Sequence, residues 1–205
     1  MLFDMHIHTS FSPCGHMDLP NIISEATALG LDGICITDHD SMAAGEMIEE
    51  GIQEDGLCVI VGMEYSSFDG DFLLFGPFED IPSGLGGFDL LNLVRKAGGA
   101  VVAAHPFRQG RRIPDALLRP DLITAIEVLN GRNLAEENRQ AVDCAQTQGL
   151  QRVGGSDAHI SDEIGRFVIR FDNAIKGRAD FIRALQRGNY APELGPVGRQ
   201  QSLFQ

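Results

Sequence analysis

No stretch of this chain is long and apolar enough to span a bilayer. Its longest apolar runs, such as LCVIVGM at 57–63, fall far short of the roughly 20 residues a membrane helix needs. No basic-then-apolar leader opens it, because residues 3–8 already form a patterned strand. Together the two absences lead us to expect a cytoplasmic protein. Paired cysteines are also missing: Cys14, Cys35, Cys58 and Cys144 are scattered, with no C-x-x-C motif. Cys35 and Cys58 lie in apolar runs and read as buried thiols, whereas Cys14 reads as an unpaired loop thiol. Basic residues are scarce, 16 Lys and Arg against 29 Asp and Glu, for a net charge of −13. Such a surface repels a phosphate backbone. With no strip of interleaved aromatic and basic residues either, long nucleic acids are disfavoured as partners. Low-complexity blocks and internal repeats are absent.

What is present is an ordinary globular composition, 43% hydrophobic and 22% charged over 205 residues, enough to bury one self-sufficient core. After the opening strand, Asp18-Leu19-Pro20 starts a helix over 20–29, with Pro20 in the first turn. GICIT (33–37) reads as a strand buried on both faces, Ser41 as the cap of a helix over 42–53, and 57–63 as a third strand. Residues 65–87 enclose one short apolar run, FLLFG (72–76), and read as a hairpin or short strand with long loops. A helix over 88–98, a strand over 100–104, a loop and short helix with four arginines (108–121) and a strand over 123–130 follow. The chain then alternates a helix (133–148), strands (152–156 and 165–171) and a helix over 179–188 stopped by Gly188. Strands alternating with helices in this way predict an α/β fold built as a parallel barrel, and the length favours a distorted seven-stranded version over an eight-stranded one. We expect one domain over 1–190 and a loosely ordered tail over 191–205.

In such a barrel, chemistry collects where the strands end. His6 and His8, two apart on an extended strand, point to one face. GICIT is followed by Asp38, His39 and Asp40, and LCVIVGM by Glu64. AVVAA is followed by His105, IEVL by Asn130, and VGGS by Asp157 and His159. His16 lies on the loop after the first strand. Any one of these histidines alone would more often be a capping or hydrogen-bonded residue. Glu64 is harder to explain that way, since an unpaired buried carboxylate is costly. Six strands delivering ligand types to one rim form a metal site. Its mixed imidazole–carboxylate donors suit manganese, iron or zinc better than magnesium, which prefers oxygen alone.

The series HIHTSFSP, ITDHD, GMEYSS, AAHPFR, EVLNGR and GGSDAH resembles the PHP family, named for polymerase and histidinol phosphatase domains, over about residues 3–188. The resemblance implies a distorted seven-stranded (β/α) barrel of PHP type with two or three divalent cations, in a family whose stand-alone members mostly hydrolyse phosphate esters. It implies His6, His8, Glu64 and Asp157 at a first metal, and Glu64 bridging to a second that His105 also binds. His39 and His159 would serve a third, whose first-loop ligand would be His16, with Cys14 and Asp18 near enough to compete. Two departures stand out. Asn130 occupies a position where some members have histidine, and Phe72-Leu73-Leu74 stands where relatives supply a histidine after the Glu64 strand.

Two cations about 3.5–4 Å apart can clamp phosphate oxygens and lower the pKa of water from about 15.7 toward 7, so no serine or cysteine nucleophile is required. Asp38, Asp40 or His159 could move protons or orient the histidine ligands. Arg108 and Arg132 are placed to hold phosphate with planar donors; Arg111 and Arg112 share the Arg108 loop and read as surface residues. Ser10 and Ser66 could add hydroxyl contacts, with helix capping the commoner role. The expected function is a metal-dependent phosphoesterase acting on a small phosphorylated metabolite or nucleotide, with water activated at a di- or trinuclear centre of Mn, Fe or Zn (or Mg). The alternatives are an exonuclease or oligonucleotide phosphodiesterase, and an amidohydrolase-type metallohydrolase, whose barrels also begin with His-x-His but run longer. Specificity would sit in the loops 65–87 and 106–122.

Overall fold

The computed structural model describes residues 1–202. In chain order, β1 (Leu2–Ile7), α1 (Leu19–Ala28) and β2 (Gly33–Ile36) lead to the short β3 (Gly51–Ile52) and to β4 (Cys58–Val61). β5 (Met63–Ser67) and β6 (Gly70–Phe75) form a hairpin, then come α2 (Gly87–Lys96), β7 (Ala100–Ala103), β8 (Ala125–Asn130), α3 (Ala135–Gln148) and β9 (Arg152–Gly155). The chain finishes with β10 (Phe167–Phe171), α4 (Arg178–Arg187), β11 (Tyr190–Leu194) and α5 (Pro196–Ser202). No helix among the described residues is long and apolar enough to cross a membrane.

The strands fall into two sheets, ordered β11-β10-β1-β2-β4-β3 and β5-β6-β7-β8-β9. Pairing is mixed where the alternation of strands and helices suggested a parallel barrel: β1–β2, β2–β4, β7–β8 and β8–β9 are parallel, whereas β1–β10, β6–β7 and the β5–β6 hairpin are antiparallel. The antiparallel β5–β6 ladder arises because only Phe68 and Asp69 separate two strands, too short a link for a parallel crossover. The sheets meet at two points, bridges Ile7–Ala158 and His39–Glu64, and the chain passes from one to the other between β4 and β5 through Gly62 alone. A Cβ at Gly62 would sit 2.7 Å from the Leu74 carbonyl and 2.8 Å from the Phe75 ring, so only glycine lets the strand turn this corner.

Local chemistry explains the helix ends. Asp18 Oδ1 accepts from the Asn21 amide at 2.9 Å, capping α1, and Gly188 at φ +76° stops α4. Two expectations do not hold. The helix expected over 42–53 is a single 3-10 turn (Ala43–Glu46) followed by β3. Gly45 weakens that helix, and β3 gains an antiparallel partner in β4. The Glu50 carboxylate meanwhile accepts from the Val61 amide and pairs with Arg178 at 2.7 Å. The segment expected to be a loose tail supplies β11, paired along its whole length with β10, and α5; residues 203–205 lie outside the described residues.

One core belongs to both sheets. Phe3, Met5 and Phe171 from the first and Leu73, Phe75 and Val102 from the second pack into one buried cluster with Phe181 of α4. The Phe181 ring meets Phe75 at 4.8 Å and Phe171 at 5.5 Å, both edge-on, a preferred aromatic geometry. Phe181→Ala removes the ring that joins the two sheets, and it should cost about 3–5 kcal/mol of stability. Urea unfolding measures this as a lower midpoint with an unchanged slope.

Candidate metal centre

Four side chains from three parts of the chain converge at one end of the sheets. His6 and His8 (β1 and the residue after it), Glu64 (β5) and Asp157 (after β9) are all buried, and each offers a ligand atom within 4.8 Å of the others. His6 Nε2 lies 3.1 Å from His8 Nε2, and each is 3.2 Å from Glu64 Oε2. Asp157 Oδ1 is 3.6 Å from His6 Nε2 and 3.3 Å from His8 Nε2. Ligand bonds of about 2.0–2.2 Å make polyhedron edges of about 2.8–3.6 Å, which is the spacing found.

Partners set the histidine tautomers. His6 Nδ1 faces Glu127 Oε1 at 3.0 Å, a carboxylate that can only accept, so Nδ1 carries a proton and, in the neutral ring, Nε2 keeps its lone pair. His8 Nδ1 faces Ser12 Oγ at 3.3 Å; that hydroxyl donates to Asp38 Oδ1 at 2.6 Å, so it accepts from His8. With both imidazoles neutral, as metal ligands are, two ring lone pairs and two carboxylate oxygens point at one another. That arrangement is repulsive until a cation sits among them. The local field says the same. Burial opposes charge on His6, but Asp157, Glu127 and Glu64 outweigh it and hold the imidazole well above its ordinary pKa. Burial likewise raises Glu64 and Asp157, yet the facing histidines, His6 foremost, hold both well below the usual carboxylate range. A field that draws a proton draws a metal ion.

Glu64 also reaches a second group. Its Oε1 is 2.7 Å from His105 Nε2, and Asp71 of β6 completes a buried trio. His105 Nδ1 is buried without a hydrogen-bond partner, an orphan that costs about 1–3 kcal/mol unless another ligand or water meets it. A third group gathers Cys14, His39 and His159 beside His8. His39 Nδ1, buried and unpartnered, lies 3.4 Å from Glu64 Oε2. Burial, then the Glu64 and Asp157 charges, push the Cys14 thiol up, while burial and the His8 charge lower His159. The described non-glycine residues with positive φ are three, Asp40 (+50°), His105 (+29°) and Asp157 (+54°). All three lie at or beside this rim, where backbone strain turns side chains inward.

The remaining predicted residues lie elsewhere or do something different. His16 is exposed and outside every ligand group; only its backbone N–H bonds the region, to the His159 carbonyl at 3.3 Å. Asn130 does not offer its oxygen to a cation. That oxygen accepts from Arg108 at 2.8 Å and from the Arg132 amide at 2.9 Å, while its NH2 donates to Glu127 and Asp157. Asp38 accepts from the Thr9 amide, Thr9 Oγ1 and Ser12 Oγ and so fastens the loop after β1. Asp40 is exposed and accepts from the Ser66 amide. Arg108 donates to Asp157 Oδ2 at 2.7 Å, and Arg111, read from sequence as a surface residue, grips Asp71 with two nitrogens. Arg132 pairs with Glu163 at 3.2 Å. Arg112 stays exposed, paired with Asp115.

Three residues escaped the sequence. Glu127 sits within β8, and besides His6 it accepts from the His105 amide at 2.8 Å and the Asn130 NH2 at 2.9 Å. Asp71 lies within the β6 run, and Ser12 orients His8. A charged residue inside AIEVL was the signal for Glu127. The rim encloses a cavity of about 340 Å³ lined by His39, Glu64, Asp71, His105, the three arginines 108, 111 and 132, Asp157 and His159. Two clefts of about 400 and 510 Å³ lie elsewhere and hold no histidine, so size does not select the site; donor chemistry does.

A family model described as PHP-associated matches residues 135–190. An uncharacterized protein of Methanocaldococcus jannaschii is 29% identical over 141 residues, 63% of this chain and 82% of that protein. A probable histidinol-phosphatase of Thermotoga maritima is 39% identical over 49 residues, 24% of this chain and 21% of its own. Among solved structures, PsfC of Pseudomonas syringae aligns with a TM-score of 0.78 at 20% identity over 98% of this chain and 95% of that one. A candidate metal-dependent phosphoesterase of Bifidobacterium adolescentis gives 0.67 at 20% identity over 91% and 96%. The lesion-specific endonuclease Q of Pyrococcus furiosus gives 0.69 at 16% identity over 94% and 58%. At these identities the solved structures establish a shared fold.

Glu127→Gln leaves the size of the side chain but removes its charge and leaves one acceptor oxygen for the three donors that Glu127 serves, His6 Nδ1–H, the His105 amide and the Asn130 NH2. Metal affinity should fall by about 10–100-fold, the usual effect of losing such a partner; calorimetric titration of the metal-stripped protein measures it, and unchanged affinity would show that Glu127 does not hold His6.

Proposed function

We propose that this chain is a PHP-family enzyme, a divalent-metal-dependent phosphoesterase that hydrolyses a small phosphorylated metabolite or nucleotide. The observation that carries the proposal is the convergence of four buried side chains, His6, His8, Glu64 and Asp157, whose ligand atoms lie within 4.8 Å of one another. On the same reading the two linked sheets are the walls of the family's distorted seven-stranded barrel. His6, His8, Glu64 and Asp157 would hold one cation, and Glu64, His105 and Asp71 a second, with Mn, Fe or Zn suited to these donors. Cations so held supply Lewis acidity and lower the pKa of water toward neutrality.

The chain's own residues do the rest. Glu127 fixes the His6 ring and, through the His105 amide, the start of the next loop. Ser12, held by Asp38, fixes His8. Arg108 occupies the outer oxygen of Asp157 and leaves Oδ1 to the histidines; its guanidinium also lines the cavity, where it can hold a phosphate oxygen. Arg111 and Arg132 face the same space. A cavity of about 340 Å³ accommodates a phosphomonoester of modest size.

A second reading, phosphodiester cleavage in a short oligonucleotide, is favoured by the likeness to endonuclease Q, of whose chain this one matches 58%. The net charge of −13 weighs against a long duplex. A panel of phosphorylated metabolites, an aryl phosphate, its diester counterpart and short oligonucleotides, run with Mn, Zn and Mg, separates the two. We expect monoester hydrolysis that disappears on chelation and falls by about 100-fold or more in His8→Ala and Asp157→Ala. Full activity in metal-stripped Asp157→Ala would overturn the proposal.

A further inference from the structure

The loop after β1 decides what kind of third position this protein has. Residues 9–17 are tightly pinned. The Ser12 amide donates to the Thr9 carbonyl at 3.1 Å, Gly15 to Ser12 at 3.0 Å, and Ser10 to Met17 at 2.8 Å. Asp38 holds the same loop from beneath through the Thr9 amide, the Thr9 hydroxyl and the Ser12 hydroxyl. At Gly15 the chain passes so close to itself that a Cβ would lie 2.0 Å from the Thr9 carbonyl oxygen. Only glycine fits there, and its two neighbours, both exposed, differ in what they reach. His16 faces solvent. Cys14 faces His159.

The Cys14 Sγ lies 3.1 Å from His159 Nε2. His159 Nδ1 is 2.8 Å from the Asp157 carbonyl oxygen, which can only accept, so Nδ1 carries the proton and Nε2 turns a lone pair toward the sulfur. The His8 ring lies tilted 4.3 Å from His159 and 4.7 Å from His39, and ligand atoms of all four residues lie within 4.8 Å of one another. Resting on the metal-centre reading above, we propose that Cys14, not His16, is the loop ligand of a third cation position built with His39 and His159 beside His8, and that its sulfur makes this position select zinc over manganese and magnesium. Thiolate with imidazole is a soft donor set typical of zinc, whereas manganese and magnesium favour oxygen. Loading forms a sulfur–metal bond and releases the thiol proton to solvent. The first two positions, rich in carboxylate, carry no such bias, so the protein would hold unlike metals side by side.

The test uses the full chain carrying Cys144→Ser, because Cys144 is the other partly accessible thiol and Cys35 and Cys58 are buried. The metal-stripped protein is titrated with cobalt as a spectroscopic stand-in for zinc. A near-ultraviolet thiolate-to-cobalt charge-transfer band is expected. Zinc should slow iodoacetamide alkylation of Cys14 by about tenfold or more, and manganese should not. Elemental analysis should find one zinc fewer per chain in Cys14→Ser and no loss in His16→Ala. The first two measurements are made with Cys14 intact, so they stand even if Cys14→Ser folds poorly. Cobalt binding with no charge-transfer band, equal protection by manganese, or a zinc lost only in His16→Ala would overturn the assignment while leaving the other two positions standing. A chain that binds no divalent metal would overturn both readings.

Discussion

Glu64 and Asp157 are shut in the same interior, and the molecule around them is arranged to answer what that costs. A carboxylate moved from water into a closed protein interior loses several kcal/mol unless charges and hydrogen bonds replace its hydration. Here the replacements come from separate parts of the chain: His6 and His8 from the first strand, His39 from the segment after β2, and His105 and Arg108 from the loop after β7. Glu64 belongs to one sheet and His6 to the other. The charge network therefore joins the sheets on one side of the molecule as the Phe181 cluster joins them on the other. His105 and Asp157 sit at positive φ to reach their partners, a cost that only a network this dense would hold in place.

The same network leaves a surplus of negative charge. Glu64, Asp71, Glu127 and Asp157 face Arg108 and Arg111, four carboxylates against two guanidinium groups, and Arg132 is already paired with Glu163. With its histidines neutral, as metal ligands are, such a site on its own would repel an anion. Cations change the sign of the local field, and the arginines then stand beside a phosphate with carboxylate partners that hold their planes in position. The arginines are thus tied down before any substrate arrives, so less of their rotamer freedom remains to be lost on binding.

Much of the site was legible because it lies where strands end. His6, His8, Glu64, His105, Asp157, His39 and His159 all follow apolar runs that a reader can mark, and the structure brings all seven together. Two of the three residues that were missed lie inside strands. Glu127 and Asp71 occupy inward positions of β8 and β6, and a pattern that looks only past the last apolar residue does not see them. Cys14 and His16 could not be separated from sequence, since the choice depends on a reversal at Gly15 set by contacts with Thr9 and Asp38. The 42–53 segment misled for a similar reason: its composition suits a helix, but β4 offered a strand partner and Glu50 was claimed by Val61 and Arg178. Mixed pairing was hidden because a helix-free link is visible only when both strands of the β5–β6 hairpin are recognised. Tertiary partners, absent from any local window, decided each of these.

The first strand lies between β2 on one edge and β10 on the other, and Asp4 within it accepts from the Ser156 and Gly165 amides, 152 and 161 residues away in sequence. During synthesis on the ribosome, β1 therefore emerges long before either of those partners exists. At about 5–20 residues per second, the wait from β1 to β10 lasts on the order of 10–30 s. Through that interval β2 and Glu64 are already made, but the β10 edge of β1 stays unpaired and Asp157 is still to come. The cluster of His6, His8, Glu64 and Asp157 is thus completed only when the last of its four residues arrives and β9 and β10 close on the strand that was made first.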